Sequence, residues 1–176
     1  MPLTLVRRSG CDSLGKLEAS VLLRMREAEA LYLGGQRLGA VYLYGYVIEI
    51  SLKTAYYRVI GLVSATVIHK QLHRLPAENA IKALIGLPSH PQGAASPGHN
   101  VIGWARLLEQ ERATPAPGRV PLDANLATEL HNRMQDVFNC WAEFLRYRAN
   151  LPYNEEVQTM RDSARWIRRH YANLWS

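Results

Sequence analysis

The stretch from Arg37 to Gly61, RLGAVYLYGYVIEISLKTAYYRVIG, limits what this chain can fold into more than any other. It is too long for a strand and almost continuously apolar. Read as a helix, Val41, Tyr44, Ile48, Leu52, Ala55 and Val59 fall on one stripe, with Leu43, Ile50 and Tyr57 near the opposite side. A helix apolar nearly all round belongs at the centre of its fold or beneath a partner subunit. Glu49 and Lys53 stand one turn apart inside it, and with Arg58 they would make the span costly in lipid.

The rest of the chain arranges itself around that helix. Residues 1–15 read as a flexible lead-in, and 16–176 as one all-helical domain. Lys16 to Leu33 is the first helix, with Val21, Met25, Ala28 and Tyr32 at helical spacing and Gly34-Gly35 as its stop. The short turn predicts an antiparallel neighbour to the Arg37–Gly61 helix. A helical pattern continues past Gly61 to Pro76, but β-branched Val63, Thr66, Val67 and Ile68 favour a bend or break near Gly61. Pro76 opens a short helix that Gly86 ends, and residues 88–98 compose a loop.

His99 to Arg112 is expected to be helical, anchored by Ile102, Leu107 and Leu108. A long helix follows from Asp123, its cap, to Asn150, burying Leu126, Leu130, Val137, Trp141 and Phe144. Asn154 is the expected cap of the last helix, whose stripe is Met160, Ala164, Ile167, Tyr171 and Leu174. No segment alternates as a strand with hairpin turns. The fold class is therefore all-α, a four-to-five-helix bundle with an irregular middle segment.

At 176 residues the chain can bury a sizeable core without staples. Two distant cysteines, Cys11 and Cys140, form neither a disulfide framework nor a metal cluster. The N-terminus carries no secretion pattern, so a soluble cytoplasmic protein is the expectation. A formal charge of +6 permits nucleic-acid contact without establishing it. No cofactor and no metal are expected. His69 and His73 lie one turn apart, yet no further ligand joins them at useful spacing.

A set of residues in the first half carries a resemblance. Gly39, Ala40, Tyr42, Leu43, Gly45, Tyr46, Glu49, Leu52 and Lys53, behind a helix ending in a Gly turn, resemble the HEPN superfamily (higher eukaryotes and prokaryotes nucleotide-binding domain). His99 with Val101, and Trp141 with Arg146 and Tyr147, add to it, and the resemblance runs over roughly residues 16–175. It implies a helical bundle that pairs as a homodimer. It also implies either a metal-independent ribonuclease of toxin–antitoxin or defence systems, or an inactive or nucleotide-binding module. A nucleotidyltransferase or an antitoxin is the implied partner protein.

Catalytic members of that family carry an Arg, usually an Asn or Asp directly after it, and a His four to six residues beyond the Arg. In this chain the spacing is met by Arg165 and His170, with Trp166 in the usual polar position. His would serve the 2′-hydroxyl as base and Arg would stabilise the crowded phosphate. On an unbroken helix five residues turn a side chain by about 140°. The pairing therefore needs a helix end, a distortion or a second subunit. Arg161, Arg168 and Arg169 are the accompanying candidates for RNA contact.

The second constellation is Glu49, Lys53, His99, Arg146 and Tyr147, with Arg146 as a bidentate partner for Glu49. It is either a buried polar network that sets helix register or a pocket for a nucleotide or similar anion. Two function classes follow. One is a non-catalytic module that homodimerises and binds a nucleotide, RNA or a partner protein. The other is a ribonuclease acting through Arg165 and His170.

Overall fold

A computed structural model describes residues 13–85, 89–90, 93–94, 96–142, 145 and 152–176. Six α-helices are present among them: α1 (Leu14–Leu33), α2 (Arg37–Val59), α3 (Leu75–Ile85), α4 (Val101–Ala113), α5 (Ala124–Cys140) and α6 (Asn154–Trp175). A π-helical turn, Lys70–Arg74, leads into α3, and a 3₁₀ turn, Pro97–His99, leads into α4. Six helices stand where the pattern gave four or five. The irregular middle holds two of them, α3 and α4. Between these, Ser89–His90 and Gly93–Ala94 form a minimal antiparallel pair, β1 and β2, inside the expected loop.

Helix α2 is the centre. It packs against α1, α4 and α6, and 14 of its 23 residues are buried. Its all-round apolar surface is thus covered largely by its own chain. Gly34-Gly35 turns α1 back on α2, and Gly35 takes φ 74°, which favours glycine. The two helices are antiparallel, since Glu18 near the start of α1 meets Arg58 at the end of α2. Helix α6 runs antiparallel to α1 as well: Glu29 meets Arg161, and Glu18 meets Tyr171.

The break expected near Gly61 is present, and three other boundaries differ from the expectation. Helix α2 ends at Val59, with Gly61 at φ 88°, and the chain then runs without helix to His69, through a turn in which Thr66 N–H donates to Val63 O at 2.8 Å. At the other end of the hairpin, α1 begins at Leu14, inside the expected lead-in. Ser13 caps it, and the backbone N–H groups of Leu14 and Gly15 donate to Thr66 O and Ser64 O, both at 2.9 Å. Those carbonyls satisfy two of the N–H groups that a helix start leaves unpaired.

The second difference is α5, which Asp123 caps as expected but which ends at Cys140 rather than Asn150. Trp141 leaves the helix in an extended conformation, and its indole Nε1–H donates to Tyr42 O at 3.2 Å. Phe144 lies outside the described residues. In α6 the cap position is Tyr153, not Asn154, and Glu156 accepts from the Tyr153 backbone N–H at 2.7 Å. Asn100 caps α4 by accepting from Gly103 N–H at 2.8 Å. No helix among the described residues is long and apolar enough to cross a membrane.

Candidate functional site

Glu49 is 2 % exposed on the most buried helix, so its charge needs partners. Lys53, one turn on, brings Nζ to 2.5 Å from Oε1, and His99 brings Nδ1 to 2.8 Å from Oε2. The first contact is the i,i+4 geometry of a single helix. The second joins residues fifty positions apart and depends on the 3₁₀ turn that delivers His99 to α2. Burial pushes the Glu49 carboxyl up, but the His99 hydrogen bond and the Lys53 charge outweigh it, and the pKa lies below the usual 4.5.

These three side chains form the floor of a cavity of about 240 Å³. Tyr46, Tyr57 and Trp104 contribute aromatic wall, and Lys53 Nζ lies 5.4 Å from the centroid of the Trp104 ring. The π turn contributes Arg74, exposed at the rim, while α3 contributes Glu78. Pattern reading missed both, because the non-helical run after Gly61 is what brings the π turn back over α2, with the His73 ring against Tyr57. Arg146 and Tyr147, expected beside Glu49, lie outside the described residues. The cavity presents ring faces and both signs of charge, a combination suited to a small polar ring compound.

Arg165 and His170 are both on α6, which is unbroken from Asn154 to Trp175. Within one chain the structure does not bring them together. Arg165 Nε donates to Glu29 Oε1 at 3.1 Å, whereas the His170 ring stacks on Trp166 with centroids 4.7 Å apart. Arg161 also engages Glu29, with Nη2 at 2.8 Å from Oε2, and lies over the Tyr32 ring at 4.2 Å. Arg161 and Arg165 together hold the Glu29 carboxyl below its usual range, the Arg161 hydrogen bond contributing most. Glu29 was not among the expected site residues.

Arg165, Arg168 and Arg169 line an open groove with Arg133 and Asp162. With Arg165 paired to Glu29 and Asp162 the carboxylate of the lining, the four guanidinium groups leave this groove net basic. Two further sequence features resolve simply. His73 Nδ1 accepts from the His69 backbone N–H at 2.9 Å, so that histidine pair is tied into the π turn. Cys140 is half-buried, and burial pushes its thiol up, away from a reactive thiolate. Among the described residues no group of three His, Cys, Asp or Glu side chains is placed to hold a metal ion.

The fold and these two polar sites thus define an all-α helical protein with a charged cavity over its central helix and a basic groove along its last. No family model, no curated protein and no solved structure matches this chain.

Proposed function

We propose that this chain is a non-catalytic, HEPN-like helical module that binds a nucleotide in the cavity over Glu49. The observation that carries the reading is the Glu49–Lys53–His99 cluster at the base of an aromatic-walled cavity, with Arg74 at its mouth. The rings flank a base, and Lys53 and Arg74 are the cations for a phosphate. At about 240 Å³ the cavity is below the usual range of about 300–1,000 Å³, which favours a mononucleotide over anything larger. Homodimerisation, and a nucleotidyltransferase or antitoxin as partner protein, belong to the same reading through the resemblance.

Calorimetric titration with nucleoside monophosphates tests it. Saturable binding that Arg74→Ala weakens, with the melting temperature unchanged, is the expected result. Heats indistinguishable from dilution across all common bases would remove the nucleotide and leave Glu49 as a register-setting network.

A second reading has its own support in the basic groove of Arg133, Arg165, Arg168 and Arg169, which suits an RNA backbone. A ribonuclease built there needs His170 of one chain to meet Arg165 of another across a dimer.

A further inference from the structure

A different stripe of α2, Ser51, Thr54 and Arg58, faces a second cavity of about 360 Å³ between α1 and α6. Its polar base is closed on itself. Arg58 donates to both oxygens of Glu18, at 2.8 and 2.7 Å, and the Tyr171 hydroxyl donates to Glu18 at 2.9 Å while lying 3.0 Å from Thr54 Oγ1. Those contacts leave little there to recognise a polar ligand. The walls are apolar: Val21, Leu22 and Trp175. Leu22 is 46 % exposed and Trp175 38 % exposed, large side chains that water would otherwise cover. Arg168 stands among the lining residues and makes no ion pair among the described residues.

We infer that this cavity is a binding site for a small amphipathic monoanion, an aromatic or aliphatic body carrying one carboxylate or sulfonate. The body lies between Leu22 and Trp175, and the anionic group meets Arg168. Two features select that chemistry. The volume falls within the range of small-molecule sites and the lining is mainly apolar, as such sites are. With Glu18 and Arg58 neutralising each other, Arg168 supplies the net charge, so a single negative group is complementary. The site is separate from the nucleotide cavity and stands or falls independently of it.

The test uses two fluorescent probes on the full chain. One is 8-anilinonaphthalene-1-sulfonate, and the other is N-phenyl-1-naphthylamine, a close relative of the same body without the sulfonate. Saturable one-to-one binding is expected, about tenfold tighter for the anion, the worth of one charge-assisted contact. Arg168→Gln abolishes that preference while leaving the neutral probe bound. Leu22→Glu, on a half-exposed helix face, excludes the anion with the circular dichroism spectrum unchanged. Equal affinity of parent and Arg168→Gln for both probes overturns the inference. So does a dimer that binds neither probe and that Leu22→Glu converts to monomer, because a second copy of the chain then fills the cavity.

Discussion

Trp141 lies where the side chain of residue 45 would be. A Cβ built on Gly45 falls 2.0 Å from the Trp141 indole nitrogen, and that nitrogen donates to Tyr42 O one turn earlier on α2. The absence of a side chain at Gly45 is what lets the ring settle against the central helix. Gly45→Ala should therefore displace the ring and lower stability by about 1–3 kcal/mol, the usual penalty of overpacking. Urea unfolding followed by tryptophan fluorescence measures both effects. An unchanged midpoint with an unchanged spectrum would show that the ring does not lie against Gly45.

Glu49→Gln removes the charge that Lys53 and His99 converge on, and should lower stability at neutral pH by about 3–5 kcal/mol. The pH dependence has a definite sign. A carboxyl depressed by folding contributes fully above its unfolded pKa, near 4.5, and loses that contribution as pH falls through the lower folded value. The parent should lose stability steeply in acid and the variant less so. The residual slope comes from Glu18 and Glu29, which Arg58 and Arg161 likewise hold down. Parallel acid limbs for the two proteins would show that Glu49 does not titrate in that window.

Much of this arrangement was legible in the sequence, and the limits have physical reasons. The centrality of α2 follows from its apolar circumference, and Lys53 follows from helical spacing. The stop at Gly61 was visible as a weakened helix. Nothing in FNCWAEF announces the end of α5, since no Gly or Pro follows before Pro152. The end is tertiary, made by Trp141 reaching α2 over a glycine 96 positions earlier. His99 was tied to Glu49 only through the resemblance, because no local pattern links residues fifty apart. Glu29, in REAEA, belongs to no motif that the sequence singles out. Its place beside Met25 and Tyr32, on the inward face of α1, was the available signal.

Glu29→Gln should strengthen RNA binding by releasing Arg161 and Arg165. If both then reach phosphates, the slope of log K against log salt should steepen by about 1.4 for single-stranded RNA. Filter binding across a salt series measures it. An unchanged slope would place the RNA, if any binds, away from this face of α6.

Cleavage separates the two readings of function. Should the basic groove be catalytic across a dimer, RNA is cut in EDTA and leaves a 2′,3′-cyclic phosphate, and His170→Ala slows it about 10²–10⁴-fold. Sedimentation equilibrium on the same samples must show a dimer. A strictly monomeric chain, or cutting equally fast without His170, excludes the ribonuclease reading, whereas the described lining of the cavity over Glu49 comes from one chain.

Helix starts usually fray first, because their leading amides have no partner. The start of α1 is different. Leu14 is wholly buried, and its amide and that of Gly15 are held by Thr66 and Ser64, beyond the far end of α2. The chain from 13 to 67 is thereby closed into a ring of two helices with a backbone clasp. Hydrogen exchange at Leu14 and Gly15 then reports the parting of the whole hairpin rather than the loosening of a single turn. These two amides should keep their protons about as long as those in the middle of α2.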